Sequence, residues 1–573
     1  MTGADQTQLA VIEAPSTARL IVAAPPGAGK TWTAAQRLLR LVSADSADDD
    51  GTLLALAFSR AAALAMSAEL HRQGFGSRVE VRTIDSWCTA MLAQQGLLPE
   101  SFEYDDFDRR VEQLILDLCV GGLALPSYRH VIVDEAQDVL GARAQLIQAL
   151  LDASTTAGWT VLGDPAQTIY AFAGEGATLF ELATASGATA LTLEGSYRAG
   201  DAALSEIVSL GQGLRVAPFS ESAVNATFDA FRRLRLFQQS DLEVVAPNYA
   251  EGPDATVVLA RTNREVLAIA EVLVAVGAQF QMLALRDAQL LPSWLAKLSA
   301  PNRSWLDESE ILASLPVGID DGSVLRSIRV LTAGGGKRLS VDALAAALRS
   351  RRCPEALMQP GRCPLSISTI HRAKGLEFDR VIVSAPLESR SEGDLVGDAR
   401  LLYVALTRAK SKLIRLELSR KLTWEREART GRMLDYRFAG PKRRIPAAVE
   451  LRSGDIDFLQ PCTDMEPRLA ALKMVSGGAE VLLRRTTNDF SEVPVFDMMI
   501  SGTAVVLGRT RLPFGEAVAS LGWDRAGAMK GAQVMGRQTI VLPLGTLGNG
   551  VRLVEAPIIA GMVMPTEGES DGR

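Results

Sequence analysis

Residues 20–31, LIVAAPPGAGKT, carry an apolar run into a Gly/Pro turn that ends in a lysine and a hydroxyl. A loop of this build, opening a helix, turns backbone N–H groups toward an anion at the positive end of the helix dipole. Pro26, Gly27, Ala28 and Gly29 make the cradle, Lys30 reaches the outer phosphates of a nucleoside triphosphate, and Thr31 holds Mg2+. Ala24 stands where the usual pattern begins with glycine, but Pro25, Pro26 and Gly27 still make a tight loop. A second constellation, VIVDEAQD, sets Asp134 and Glu135 at the end of another apolar run. Asp134 can hold the hydration shell of the metal, and Glu135 can polarise an attacking water. Alone, one reads as a Gly-rich turn and the other as a solvated acidic loop. Together they specify phosphoryl chemistry.

Such residues must be positioned by strands. Apolar runs at 20–24, 53–58, 130–133 and 160–162 alternate with helical patterns at 31–42 and 61–73. This alternation predicts a doubly wound parallel sheet, whose ligands bind beyond the carboxyl ends of the strands. The pattern restarts with strands at 257–259, 366–370 and 381–384. Residues 263–364 between them read as a Pro/Gly-interrupted insertion. After about residue 445 short β-like runs follow at 481–485, 500–507, 538–544 and 551–564. The acidic, Gly-rich tail from Thr566 reads as disordered. The expected domains are 1–195 with a short insertion near 88–128, 196–440 with an insertion near 285–362, a β-rich accessory module at 441–565, and the tail 566–573.

The balance of the 573 residues excludes several classes. Apolar residues form 47% and charged residues 22%, as in ordinary globular proteins. A net charge of -7 rules out a generally basic nucleic-acid glue, so contact with nucleic acid must come from a local patch. No apolar run reaches the ~20 residues of a membrane span, and no signal segment opens the chain. Cys88, Cys119, Cys353, Cys363 and Cys462 form no CxxC, which suits reduced thiols in a cytoplasm better than a zinc or iron–sulfur centre. From residue 408 to 444 runs a dense basic stretch, either a solvated helix face or, in its later part, a nucleic acid path or a partner surface.

The ordered motifs carry a resemblance. APPGAGKT (24–31), VDEAQD (133–138), GDPAQTIYAFAGE (163–175), SYR (196–198), ARTN (260–263), STIHRAKGLEFDRVIV (368–383) and RLLYVALTRAK (400–410) resemble the motif series of superfamily 1 helicases of the UvrD/Rep type. The resemblance implies an α/β fold of two RecA-like P-loop NTPase domains with parallel sheets, small helical insertions and a β-rich C-terminal module. It implies an ATP hydrolase that uses ATP and Mg2+ to move 3′→5′ on single-stranded DNA, in DNA repair. By the same resemblance Gln8 reads the adenine, Tyr197 stacks on it, and Gln167 senses the γ-phosphate. Arg198 and Arg408 act as arginine fingers, an effect worth ~10³–10⁵ in rate. Glu377, with Gly375 in the same segment, sits near the ribose. Phe58, Tyr170 and Phe172 would stack on bases, at ~1–3 kcal/mol each. Thr83 and Ser86 would meet phosphate, and Arg261, Thr369, His371 and Lys374 the sugar–phosphate backbone. Core packing for Phe58 and a satisfied buried imidazole for His371 are the plainer alternatives.

The sequence also departs from that pattern. Trp32 follows GKT in place of an arginine, which suggests a base held by stacking. Asp85 replaces a histidine, Ala173 an arginine and Ser196 an asparagine. The insertions are short, so the engine looks whole while the duplex-handling parts look trimmed. The C-terminal module reads as a surface for a protein partner. An alternative function is therefore an ATP-gated nucleic-acid-sensing or remodelling subunit. A dead paralogue is disfavoured by the complete set Lys30, Thr31, Asp134, Glu135, Gln167, Arg198 and Arg408.

Overall fold

The structure is a computed structural model. It describes residues 3–43, 52–58, 62–63, 66–67, 70, 79–94, 96, 104–119, 128–153, 158–169, 177–194, 202–215, 221–283, 291–316, 319, 321–332, 338–349, 357, 363–384, 392–419, 425–438, 443–460, 465–486, 493–543, 546 and 550–566. The chain divides into two compact units. One comprises Met1–Arg235, Ala373–Val381 and Pro386–Leu413; the other comprises Leu236–Arg372, Ile382–Ala385 and Ile414–Arg573.

The first unit is built on strands β1 (Arg19–Ala23), β2 (Thr52–Ala57), β3 (Val79–Thr83), β4 (Tyr128–Asp134), β5 (Gly158–Gly163) and β6 (Thr189–Thr192). They lie in the order β3-β2-β4-β5-β1-β6, and every pairing is parallel. The inner strands are near-continuous apolar runs because both faces are covered. Leu20, Val22, Leu53, Ala55, Ile132 and Leu162 pack into one core with helix Lys30–Ser43. Ile21, Leu54, Leu56, Val131, Val133 and Val161 pack into the other, with Trp87 and helix Gly141–Ala153. Successive side chains alternate between the two faces, as the pleat requires. The predicted helix over 61–73 falls largely outside the described residues.

In the second unit, β7 (Leu236–Gln238), β8 (Thr256–Ala260), β9 (Gln281–Met282) and β10 (Leu365–Thr369) join a second six-stranded sheet. Its remaining strands, β11 (Phe378–Ser384) and β12 (Ala409–Glu417), are those on which the chain passes from one unit to the other. β10 pairs in parallel with both β8 and β9. Within the insertion, helices Asp321–Thr332 and Val341–Arg349 surround a separate apolar cluster with Trp294 and Leu295.

The C-terminal part is an antiparallel sheet centred on the long pair Ala528–Val541 and Leu553–Pro565. Two expectations need correction here. The run at 500–507 is not a strand: Phe496–Ile500 ends at a turn through Ser501 and Gly502 (φ 81), and pairing resumes only at Gly508–Thr510. Alongside the sheet the module carries helices Met465–Met474 and Leu512–Ser520. Finally, the basic stretch is no helix face. Its described part folds as β12, Glu425–Arg426 and Met433–Phe438. There Arg432 is buried in a bidentate pair with Asp455, both bonds 2.7 Å. Residues 567–573 of the tail lie outside the described residues.

Candidate functional site

Parallel pairing brings the motifs together. Ala23 lies opposite Gly163 and Ala57 opposite Asp134, so the residues after β1, β4 and β5 share the carboxyl edge of one sheet. The phosphate loop leaves β1 there. Gly27 (φ 80) and Gly29 (φ 73) occupy the left-handed region, which explains glycine at both positions. The Ala24 N–H donates to the Gly163 carbonyl at 2.9 Å, tying the loop to β5. Gly163 is itself forced: a Cβ there would lie 2.6 Å from Gln137 Oε1 and 2.9 Å from the Phe180 ring.

Lys30 opens the helix after the loop. Its ammonium lies 2.5 Å from Glu135 Oε2 and 3.7 Å from Asp134 Oδ1. Burial works against its charge, but the carboxylates of Glu135 and Asp134 outweigh burial and raise its pKa above the ordinary value. Thr31 Oγ1 donates to Asp134 Oδ2 at 2.8 Å. The two predicted metal-binding groups are thus already adjacent, and Asp134 is fully buried. Two hard oxygen donors side by side fit Mg2+. Burial raises the pKa of Asp134, against the pull of Lys30.

Glu135 is one of two described residues other than glycine with positive φ, at 57°. Such a conformation costs of order 1–3 kcal/mol and tends to mark functional sites. Burial alone would raise its pKa. Lys30 and Lys374 reverse that and bring it down to about 2.

Residues outside the predicted set complete the site. Gln137 Nε2 donates to Glu135 Oε2 at 2.6 Å, while Gln137 Oε1 accepts from the Asp164 N–H at 3.0 Å. Asp164 is fully buried. Its Oδ2 accepts from Gln167 Nε2 at 2.9 Å, and its Oδ1 accepts from Arg215 Nε at 2.8 Å. Gln167 Oε1 accepts from Arg408 Nη2 at 3.1 Å. A continuous chain of contacts therefore runs Lys30–Glu135–Gln137–Asp164–Gln167–Arg408. Gln137, Asp138 and Asp164 lay in quoted motifs without assigned roles; nothing local marks Arg215.

Lys374, expected at the nucleic acid backbone, has its ammonium among the nucleotide motifs in this structure. It donates to Asp138 Oδ1 at 2.6 Å and to the Gln167 carbonyl. Burial lowers the Lys374 pKa in spite of Asp138 and Glu135. Burial also lifts Asp138 to about 6 against the pull of Lys374, with Glu135 adding to the rise.

On the base side, Gln8 is buried with both ends of its amide engaged. Nε2 donates to the Ala28 carbonyl at 3.0 Å, and Oε1 accepts from the Asp5 N–H at 3.2 Å within a helix-capping box. Trp32, by contrast, is 39% exposed beside the loop. Gly375 (φ 79) and Glu377 are exposed on the turn before β11. Tyr170, Phe172, Tyr197 and Arg198 lie outside the described residues.

Two of the expected nucleic acid contacts share an edge of the first sheet. Phe58 follows β2 and is 36% exposed, which disfavours the core alternative. Thr83, opposite Ala57, accepts from the Ser86 N–H at 3.2 Å and so starts helix Ile84–Gln94. The unfamiliar Asp85 pairs with Arg143 at 2.7 Å, which offsets the negative charge it adds. In the second unit Ala260 lies opposite Thr369, so Arg261 and His371 follow adjacent strand ends. Thr369 is buried, whereas Arg261 and His371 are half-buried.

A buried cluster behind the phosphate loop was not anticipated. Arg37 is fully buried, donating from Nη1 to the carbonyls of Val11 (2.6 Å) and Ala14 (3.0 Å) and from Nη2 to that of Pro15 (3.1 Å). Its Nε donates to Thr160 Oγ1 at 2.8 Å, and that hydroxyl lies 3.0 Å from His130 Nε2. His130 Nδ1 faces the Ser16 carbonyl at 2.7 Å, which selects the neutral Nδ1–H tautomer. Burial, with Arg37 adding to it, lowers the His130 pKa to about 3. An arginine on the apolar stripe of helix Lys30–Ser43 was the available signal.

Comparison with known proteins agrees with this geometry. Residues 7–173 match the family described as AAA domain, and residues 364–414 match the UvrD-like helicase C-terminal domain. No curated protein matches the sequence. The crystal structure of Pif1 helicase from Candida albicans aligns over 73% of this chain and 95% of that one, with 12% identity and a TM-score of 0.37.

Proposed function

We propose, from the premise that the chain is an ATP-hydrolysing superfamily 1 helicase, that it is a 3′→5′ translocase on single-stranded DNA. One observation carries the ATP-driven part of this reading. Lys30, Asp134, Glu135, Gln167 and Arg408, spread over nearly four hundred positions of sequence, meet in a single network. Such a network can couple phosphate binding to the movement of a distant arginine.

In the proposed cycle, a triphosphate at the Gly27–Lys30 loop competes with Glu135 for the Lys30 ammonium. Glu135, released, accepts the proton of the attacking water; losing the Lys30 contact that holds its pKa down makes it a stronger base. Thr31 and Asp134 would hold Mg2+, which when bound neutralises phosphate charge. Gln167 and Arg408, with Arg198, sense and stabilise the γ-phosphate. Trp32 offers a stacking surface for the base, Tyr197 a second, and Gly375 and Glu377 lie toward the ribose. Phe58, Thr83, Arg261, Thr369 and His371 would line the strand's path, with Tyr170 and Phe172. The direction 3′→5′ and the choice of DNA rest on the motif resemblance.

A second reading, an ATP-gated sensing or remodelling subunit, is favoured by one feature of the second unit. Ala448, Met535, Ala560 and Met562 of the C-terminal sheet share one apolar core with Val258 and Ile367 of β8 and β10. A movement of those strands would carry the C-terminal sheet with it, as an output to a protein partner.

The test is ATP hydrolysis with and without long single-stranded DNA, beside Lys30→Ala. Stimulation that the variant abolishes supports a motor. Displacement of streptavidin from one end of a biotinylated strand then reads the direction. Hydrolysis indifferent to DNA sinks the translocase reading and favours the switch.

A further inference from the structure

Arg215 belongs to none of the motifs, yet it forms an ion pair with the fully buried carboxylate of Asp164. Its Nε–Oδ1 distance is 2.8 Å, and its side chain is 14% exposed. The same carboxylate decides how the Gln167 amide is oriented. A carboxylate only accepts, so the Nε2 end of the amide must face Asp164, at 2.9 Å. That leaves Oε1 toward Arg408, whose Nη2 donates to it at 3.1 Å. With the amide reversed, an N–H would confront the Arg408 guanidinium and an oxygen the carboxylate, and both contacts would be lost.

Arg215 is built into this place. It ends helix Ala202–Arg215, and one turn earlier Gly211 leaves room for Tyr403. A Cβ on Gly211 would lie 2.2 Å from Tyr403 Oη and 3.0 Å from Arg215 Nη2. The Tyr403 hydroxyl donates to the Val208 carbonyl at 3.3 Å, fastening helix Glu392–Leu406, two residues before Arg408, to the helix that bears Arg215.

We propose that Arg215 is a positioning residue for the γ-phosphate sensor. It anchors Asp164, and Asp164 sets the Gln167 amide so that its oxygen faces Arg408. The proposal rests on the assignment of Gln167 and Arg408 to the γ-phosphate. It goes beyond that assignment by naming the group that keeps them in register. Losing the anchor affects recognition of the third phosphate and leaves the diphosphate contacts at the Gly27–Lys30 loop alone.

The test compares equilibrium binding of ADP and of adenylyl-imidodiphosphate to the full chain as wild type, Arg215→Met and Arg215→Lys. Arg215→Met is expected to lower the preference for the triphosphate analogue by about tenfold, the size of one lost hydrogen bond to a charged group, with ADP affinity unchanged. Arg215→Lys, which keeps the charge, should recover part of it. In an Asp164→Asn background the Arg215→Met substitution should have little further effect, because no charge is left to anchor. The proposal is overturned if the preference is unchanged, if ADP and the analogue weaken equally, or if the two substitutions act additively. Binding is read without turnover. A chain that discriminates the nucleotides but does not hydrolyse ATP counts against the motor and leaves this comparison decisive.

Discussion

Asp138 supplies the sharpest prediction for hydrolysis, because its environment sets a pH at which the site should change. Its side chain is 1% exposed and holds the Lys374 ammonium at 2.6 Å, with Glu135 and Lys30 as the other charges nearby. Burial is the largest influence and lifts its pKa from 3.8 to about 6. Glu135, at about 2, remains charged throughout the accessible range. Asp138 should therefore give kcat/KM, which reports the free enzyme, an acid limb near pH 6; the Asp138→Asn variant separates it from Asp134, whose pKa burial also raises. At about pH 5 only about a tenth of Asp138 is charged, so kcat/KM should drop about tenfold from its plateau if the Lys374 contact is needed. Asp138→Asn should flatten the limb, and Lys374→Met, which removes the charge that pulls the Asp138 pKa down, should lower the plateau and shift any remaining limb to higher pH. The stability sign is opposite. Between about pH 4 and pH 6 the folded chain keeps a proton that the unfolded chain has released, so this group's contribution falls as pH rises, by about 3 kcal/mol in all. The assay is steady-state ATP hydrolysis across the range, with urea midpoints on the same samples. A limb that persists near pH 6 in Asp138→Asn would refute the reasoning, as would a wild-type limb in the ordinary carboxylate range.

Three further outcomes follow from the packing. His130, held neutral with its pKa lowered to about 3, should contribute stability that is complete above about 6.5 and is lost as pH falls. At about pH 5 the loss should reach ~2 kcal/mol relative to neutral pH, and thermal unfolding of His130→Asn should show a shallower acid slope. Gly211→Ala forces a methyl group to within 2.2 Å of Tyr403 Oη and should cost about 1–3 kcal/mol, read as a lower Tm; an unchanged Tm would contradict that contact. Asp455→Ala leaves the buried Arg432 guanidinium without its bidentate partner and should destabilise by ~3–5 kcal/mol in urea titration, whereas replacing both residues with apolar ones should recover much of that.

The parts of the site read directly from sequence are those written in consecutive residues. The loop before Lys30 needs two glycines at φ 80 and 73 within five residues, and VIVDEAQD places two carboxylates at a strand end. Backbone geometry over a few residues dictates both, so the chain order shows them. The parallel sheets were legible for a similar reason, since buried strands must be apolar on both faces. The C-terminal sheet was less so. Its alternating pattern merged a strand and a turn at 500–507 and concealed two helices, because antiparallel pairing is settled by distant partners such as Ala528–Val541 with Leu553–Pro565.

Tertiary structure alone decided the charge partners. Arg215 reaches Asp164 across 51 positions, Arg37 reaches Thr160 across 123, and Lys374 reaches Asp138 across 236. A charged side chain has a buried fate only when the fold supplies a counter-charge or a set of carbonyls within about 3 Å, and nothing in its own neighbourhood announces which. The sequence named the groups that can do the chemistry. The fold determined that Lys374 turns inward to Asp138, that Gln8 spends its amide on the loop, and that the Gln167 amide presents its oxygen to Arg408, because hydrogen-bond direction depends on what the other end already holds.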